Sequence, residues 1–197
     1  GAVSLNRLAL GLFSRAALGR PNFFLSPVSI ATALGMLKAG ATPNSQTERE
    51  LGALTGNSVN LSSSIGNLRN PGEGIRLVVA NSLWVNAQVV RKNYRDEIEI
   101  DYAADVKNIP KDASEVNDWV KGKTQGAIER VLSNVPQDAA ALIVNAFLFK
   151  GTWREAFDES DTSSAPFASI GTSLVRARMM NRRNAAIWYA SVPLGTN

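Results

Sequence analysis

The stretch ALIVNAFLFKGTW, residues 141–153, is apolar on both sides of a single amide, Asn145. It is the longest strand candidate in the chain, and we predict a buried β-strand over about 139–150. An amide buried there without hydrogen-bond partners would cost about 1–3 kcal/mol. The sequence therefore predicts that Asn145 is hydrogen bonded to residues of neighbouring elements.

Apolar periodicity and cap residues predict the elements around this strand. Ser26 and Pro27 are typical of a helix start and Gly40 of a helix end, and the residues between them are apolar nearly all round, which indicates a central helix. The β-branched and mostly apolar stretch IRLVVANSLWV indicates a second strand covered on both faces. The predicted helices span about 4–17, 26–39, 45–54, 91–102 and 112–125, and the predicted strands span about 75–85, 104–109 and 139–150.

These elements follow one another without an internal repeat and without a linker rich in proline or glycine. Helices come first and then alternate with strands, which is typical of the α+β or mixed α/β class. We therefore predict one domain over residues 1–197.

The composition excludes several kinds of chemistry. Among 197 residues, 45% are hydrophobic, which suits a globular domain with a core, and there is no histidine and no cysteine. These residues therefore cannot form a Cys/His zinc site, a Ser–His–Asp triad or a disulfide. No apolar run reaches the roughly 18 residues that a membrane helix needs. We predict a protein that is not an enzyme, has no cofactor and contacts neither a membrane nor a nucleic acid.

Two short motifs favour ordinary structural interpretations. Residues 122–124, GKT, match the end of a phosphate-binding loop, but the first glycine of that pattern would fall at Asn117, inside a predicted helix. Asp158, Glu159 and Asp161 could in principle hold a metal, but no further motif supports them. We interpret the first segment as part of a helix and the second as a solvated turn.

Four arginines lie within eight residues of a segment that we interpret as extended. They are Arg176, Arg178, Arg182 and Arg183. The net charge of the chain is +4, which is compatible with a polyanion partner but does not demand one. The pattern favours a solvated strand face. The alternative is a site for phosphate or for a sulfated polysaccharide.

Five blocks of the sequence, taken together, resemble the N-terminal half of the serpins, and they occur in the order of that family. The blocks are NFFLSPVSIATALGMLKAGATPNSQTERELGALTG (22–56), LVVANSLWV (77–85), VNDWVKGKTQGAIERVL (116–132), LIVNAFLFKGTWREAFDESDTSSAPF (142–167) and VRARMM (175–180). The resemblance implies helices packed around a large, mostly antiparallel sheet. That sheet is expected to be incomplete here because the C-terminal half of a serpin is absent.

The resemblance also implies a function. A serpin is a suicide inhibitor with a metastable fold: a serine or cysteine protease cuts its exposed reactive loop, becomes acyl-linked to it, and is carried along as the loop inserts into the main sheet. The reactive loop lies outside this chain. The implied partners are a target protease and the C-terminal serpin half, which is supplied as a second chain or as residues omitted from this sequence.

Four residues match positions of the serpin conformational switch. Ser26, Ser29 and Asn145 match the polar cluster called the shutter, beneath the middle of the main sheet, and Trp153 matches the breach, where the strands first part. The alternative is that Asn145 is a single satisfied core amide with no switching role.

The resemblance leaves the activity and the compartment open. A non-inhibitory serpin, such as a carrier of a ligand or hormone, a hormone precursor or a chaperone, has the same fold. A module that uses half of the fold to bind a partner is a third interpretation. The family favours an extracellular location, and an intracellular one stays open.

Overall fold

The computed structural model describes residues 2–18, 23–55, 73–86, 88, 90–168 and 174–182. Contacts divide the chain into two compact units, Gly1–Gly151 and Thr152–Asn197. The single domain expected over 1–197 stays a prediction.

The helices and strands lie close to their predicted positions. In chain order the elements are α1 (Ala2–Ala16), α2 (Pro27–Ala39), α3 (Gln46–Thr55), β1 (Ile75–Val85), α4 (Lys92–Asp101), β2 (Ala104–Lys107), α5 (Ala113–Thr124), β3 (Ala141–Gly151), a 3-10 turn (Glu159–Asp161), β4 (Ser163–Phe167) and β5 (Val175–Met179). The ends of α1 to α5 and of β1 to β3 differ from the predicted ends by at most two residues. The predicted ranges do not include β4, because a segment of five residues is too short to display a hydrophobic period. The 3-10 turn lies where a solvated turn is predicted, and β5 lies in the arginine segment, for which the pattern favours a strand face without giving its bounds.

The first unit contains a three-stranded mixed sheet in the order β2–β1–β3. Strand β1 pairs parallel with β2 and antiparallel with β3, and the second pairing runs over the full length of both strands. Strand β1 is buried from Val79 to Val85, as expected for a central strand. Strand β3 is mostly half-buried and exposed at both ends, because it lies at the edge of the sheet formed by the described residues.

Helices cover both faces of this sheet, and alternate residues of β1 point to opposite faces. On one face, Val79 packs with Leu8 of α1 and Ala31 of α2. On the other, Ala80 packs with Val120 of α5. The core therefore consists of two apolar layers with the sheet between them.

Helix α2 lies close to the sheet because its sequence provides a cap and small side chains. The Ser26 side chain accepts a hydrogen bond from the Ser29 backbone, and Pro27 occupies the first turn. Gly35 faces Tyr102, and a Cβ at Gly35 would lie 2.9 Å from the tyrosine Oη. The absence of a side chain at this position lets the helix and the aromatic ring approach each other.

The second unit contains the antiparallel pair β4–β5, in which Ala165 lies opposite Ala177. Arg176 and Arg178 point to one face of this pair, and Phe167 and Val175 to the other. Among the parts of the chain that the structure describes, no helix has the length and apolar character needed to cross a membrane.

Candidate functional site

A continuous chain of hydrogen bonds connects helix α2 with strands β3 and β1. The Ser29 hydroxyl donates to Asn145 Oδ1, and Asn145 Nδ2 donates to Asn81 Oδ1. Asn81 Nδ2 in turn donates to the backbone carbonyl of Tyr102 at 2.8 Å. We call Ser29, Asn145, Asn81 and the Tyr102 carbonyl the polar chain. Asn145 thus has the hydrogen-bond partners that its apolar surroundings demand.

The polar chain lies between two apolar clusters on the α2 side of the sheet. Asn81 and Asn145 are directly opposite each other in the antiparallel register. On one side of this pair is the cluster of Met36 and Leu83, and on the other is the cluster that contains Val79. Hydrogen bonds in such low-dielectric surroundings are strong, and an unpaired polar group there is costly.

Asn81 is the most deeply buried amide of the polar chain, since only 2% of its surface is exposed. Asn145 is half-buried, in keeping with its place on an edge strand. Every buried side-chain nitrogen or oxygen that the structure describes has a hydrogen-bond partner. The buried side-chain groups of the site therefore all have hydrogen-bond partners in this arrangement of the strands.

Ser26 belongs to the same site but makes a different contact. Its hydroxyl oxygen accepts a hydrogen bond from the Ser29 backbone nitrogen at 3.3 Å, which caps α2 and fixes the first turn that carries Ser29. The structure thus brings together Ser26, Ser29 and Asn145. Their role in a conformational switch stays a prediction.

Sequence reasoning missed Asn81 and the Tyr102 carbonyl. A signal for Asn81 was present, because it is the one amide in an apolar strand, as Asn145 is in ALIVNAFLFKGTW. Two such strands in antiparallel register can place their amides opposite each other, but the register itself is not visible in either segment. The carbonyl of Tyr102 has no sequence signal, because every residue has one.

The side chains of the polar chain can exchange hydrogen-bond partners, and the Ser29 hydroxyl donates to an amide oxygen rather than to a base. Each asparagine side chain has both donors and an acceptor, so it can find new partners if a strand moves. Within the described ranges, no group of three or more His, Cys, Asp or Glu residues is placed to hold a metal. At Asp158, the Ser160 side chain and backbone donate hydrogen bonds that lower the pKa of the carboxyl, as in an ordinary capped turn.

Trp153 is not part of the polar chain. It belongs to the second unit, where 66% of its surface is exposed. Its ring packs edge-on against Phe157 with 5.4 Å between the ring centroids. The assignment of Trp153 to a breach stays a prediction.

The arginine segment is partly engaged in local contacts. Arg176 donates to the Ser164 carbonyl at 2.6 Å and to the Ser164 hydroxyl at 3.1 Å, and Arg182 forms an ion pair with Glu155. Arg178 is exposed and lies on the same face of β5 as Arg176. Arg183 lies outside the described residues. These contacts favour the solvated strand face, and the sulfated polysaccharide stays a prediction.

A second polar contact holds α5 against β2. Asp105 accepts hydrogen bonds from Trp119 Nε1 at 2.7 Å and from Lys123 Nζ at 2.9 Å. Partial burial raises the pKa of Asp105, but the hydrogen bonds from these two partners, together with the charges of Lys123 and Lys107, outweigh that effect and hold the pKa below its ordinary value of 3.8. The carboxylate therefore stays ionised at neutral pH and ties the helix to the sheet.

Comparisons with known proteins agree over nearly the whole chain. A family model described as serpin (serine protease inhibitor) matches residues 3–194. Alpha-1-antitrypsin 1-5 of Mus musculus is 30% identical over 177 residues, which cover 81% of this chain and 42% of that protein. Serpin-Z7 of Hordeum vulgare is 28% identical over 198 residues, which cover 90% of this chain and 50% of that protein. The chain thus spans at most half the length of these two relatives.

Solved structures resemble this fold closely. Reaction-loop-cleaved lamprey angiotensinogen superposes with a TM-score of 0.81 at 25% identity, over 91% of this chain and 56% of that one. Reactive-loop-cleaved human thyroxine-binding globulin superposes with a TM-score of 0.79 at 26% identity, over 92% of this chain and 59% of that one. The predicted α+β fold class is confirmed by these likenesses.

Proposed function

Because the chain belongs to the serpin family, we propose that it forms part of a serpin-type inhibitor that traps a serine or cysteine protease. The proposed partners are the target protease and the remainder of a serpin, present as a second chain or as further residues of the same protein. The reactive loop is expected in that remainder. The proposed location is extracellular, on the strength of family membership.

The observation that carries this proposal is the position of the polar chain at an open sheet edge. Strand β3 pairs with β1 on one side, and no strand among the described residues pairs with its other side. A strand inserted there would satisfy the unpaired backbone groups of β3. The Asn145 side chain meanwhile holds β3 to β1 and α2 through contacts that do not use the open edge.

The chain's part in the proposed mechanism is mechanical. The nucleophile of the protease attacks the carbonyl carbon of a peptide bond in the reactive loop. That bond breaks, its amine end is released, and the carbonyl carbon stays acyl-linked to the protease. This chain therefore needs no catalytic group of its own. Insertion of the cleaved loop beside β3 adds main-chain hydrogen bonds and apolar burial, and these drive the translocation of the protease. The two asparagines would let β1 and β3 adjust while their amides stay paired.

A second candidate function is that of a non-inhibitory carrier. One of the similar structures is thyroxine-binding globulin complexed with a thyroxine derivative, with a TM-score of 0.80 at 25% identity. The α+β fold is shared, so family membership alone does not separate a carrier from an inhibitor. The two candidates differ in what happens after a protease cuts the reactive loop.

The test uses the protein with every residue that its gene encodes, incubated with a panel of serine and cysteine proteases. We expect a covalent adduct that survives denaturing gel electrophoresis and an increase in thermal stability of the cleaved form. Each protease with its nucleophile replaced serves as the control and should form no adduct. Cleavage by every protease without an adduct would reject the inhibitor and favour the carrier.

A further inference from the structure

A groove between α1 and α3 lies away from the polar chain. Its apolar lining includes Leu8 and Leu12 of α1 and Leu54 of α3, and its volume is about 310 Å³. Arg7 and Arg15 line the same groove on the α1 side. The groove thus combines an apolar surface with two cationic side chains.

The two arginines lie on one face of α1, on either side of Gly11. The spacing of four residues between successive members places Arg7, Gly11 and Arg15 in a row, and the outer two are about 12 Å apart along the helix axis. Both arginines are exposed, and neither has a hydrogen bond or an ion pair within the part of the chain that the structure describes. They are therefore available to an anionic partner.

Gly11 keeps the groove open between the two arginines. A Cβ built at this position meets no atom within 4 Å, so a larger side chain would project into the groove. Glycine inside a helix is less favourable than alanine, and packing does not require it here. A larger side chain at position 11 would therefore fill the open space in the groove.

We propose that the α1–α3 groove binds a small amphiphile with an anionic head group, such as a long-chain carboxylic acid. The hydrocarbon chain lies over Leu8, Leu12 and Leu54, and the carboxylate pairs with Arg7 or Arg15. A volume of about 310 Å³ matches ligand sites, which are mostly apolar with a few well-placed polar groups. It is small for a peptide helix. This binding is separate from the proposed protease inhibition and uses none of the residues invoked for it.

The test is a fluorescence titration of the full chain with cis-parinaric acid, a fluorescent long-chain carboxylic acid, and with its uncharged methyl ester. We expect saturable binding of the acid, about tenfold weaker binding to the Arg7→Gln/Arg15→Gln variant, and weaker binding at higher salt. The Arg91→Gln variant removes an exposed arginine that precedes α4 and does not line the groove, and it should bind as the unchanged chain does. Equal affinity for the acid and the ester would overturn the proposal.

A second pair of variants tests the groove without changing its charge. Gly11→Leu fills the groove and should abolish binding, whereas Gly122→Leu, at a helical position that also has no atom within 4 Å of a built Cβ, should leave it unchanged. Melting curves monitored by circular dichroism confirm that both variants are folded. Undiminished binding by Gly11→Leu would overturn the site. If an acidic amphipathic peptide bound through Arg7 and Arg15 while the acid did not, the ligand class would be wrong.

Discussion

Asn81 and Asn145 are two amides that satisfy each other at the centre of an apolar sheet face. The Ser29 hydroxyl and the Tyr102 carbonyl form the two ends of the polar chain. Removal of any one of its side chains would leave a neighbouring group without a hydrogen-bond partner. An unpaired buried polar group costs more than a typical hydrogen bond contributes. The stability of this region therefore depends on the whole chain of bonds.

We expect Asn145→Ala to lower the free energy of unfolding by about 1–3 kcal/mol, because it leaves the Ser29 hydroxyl and Asn81 Oδ1 without partners. The variant should also self-associate more readily, since β3 is held less firmly to its neighbours. Urea unfolding and light scattering measure the two effects. Asn134→Ala, which removes an exposed asparagine outside the helices and strands, is the matched control. An unchanged urea unfolding curve for Asn145→Ala would remove the proposed role of the polar chain.

Gly35 allows a second prediction at the residue scale, because its neighbour Tyr102 also belongs to the polar chain. Alanine at position 35 would place a Cβ 2.9 Å from the tyrosine Oη and force the buried ring to shift. We expect the free energy of unfolding of Gly35→Ala to be about 1–3 kcal/mol lower than that of Gly122→Ala. Both variants gain the helix propensity of alanine, so chemical denaturation of the pair isolates the packing effect. Equal stabilities would show that Tyr102 moves freely.

At the scale of elements, α5 is held to β2 by one carboxylate as well as by apolar packing. Asp105 accepts from both Trp119 and Lys123, and the Trp119 ring lies edge-on to Trp84 with 6.4 Å between the centroids. The pKa of Asp105 is lower in the folded chain than its ordinary value. Ionised Asp105 therefore stabilises the fold at neutral pH.

We expect Asp105→Asn to lower the free energy of unfolding at pH 7 by about 1 kcal/mol or less, since the pair is only partly buried. The lowered pKa means that the stabilisation is present above the ordinary value of 3.8 and is lost as the pH falls through the folded pKa. The difference between the variant and the unchanged chain should therefore shrink with acidification. Urea unfolding at a series of pH values measures it, with Asp118→Asn, at an exposed position of α5, as the control. A difference that grew towards low pH would contradict this explanation.

The helices and strands differ in how accurately their bounds can be predicted from the sequence. Helix α2 and strand β1 were predicted within a residue of their ends, because cap residues and long apolar patterns are local signals. Strand β4 was not predicted, and β5 was indicated only as an extended arginine segment without bounds, because five residues with mostly exposed side chains carry little pattern. They are strands because they pair with each other. The register runs from Ser163 opposite Met179 to Phe167 opposite Val175.

For the molecule as a whole, the edge of β3 is the feature with the largest consequence. Among the described residues this long strand has no partner on one side, and Phe149 near its end is 62% exposed. Long apolar edges are templates for pairing with other chains. In a serpin, this edge would be covered by further strands of the same sheet.

We therefore expect the 197-residue chain, expressed alone, to self-associate in a concentration-dependent way. Light scattering measures the association, and Phe149→Lys, which places a charge on the edge at an exposed position, should reduce it. Addition of the remaining serpin half as a second chain should reduce it as well. A stable folded monomer across the concentration range would contradict this prediction.

The sequence by itself determined the element order, the absence of histidine and cysteine chemistry, the serpin family and the need of Asn145 for partners. These follow from local periodicity, composition and the cost of burying an unpaired amide. Only the tertiary structure decided which groups meet that need, because the register that places Asn81 opposite Asn145 depends on strands distant in the chain. A shift of one residue would turn one of the two amides to the opposite face of the sheet.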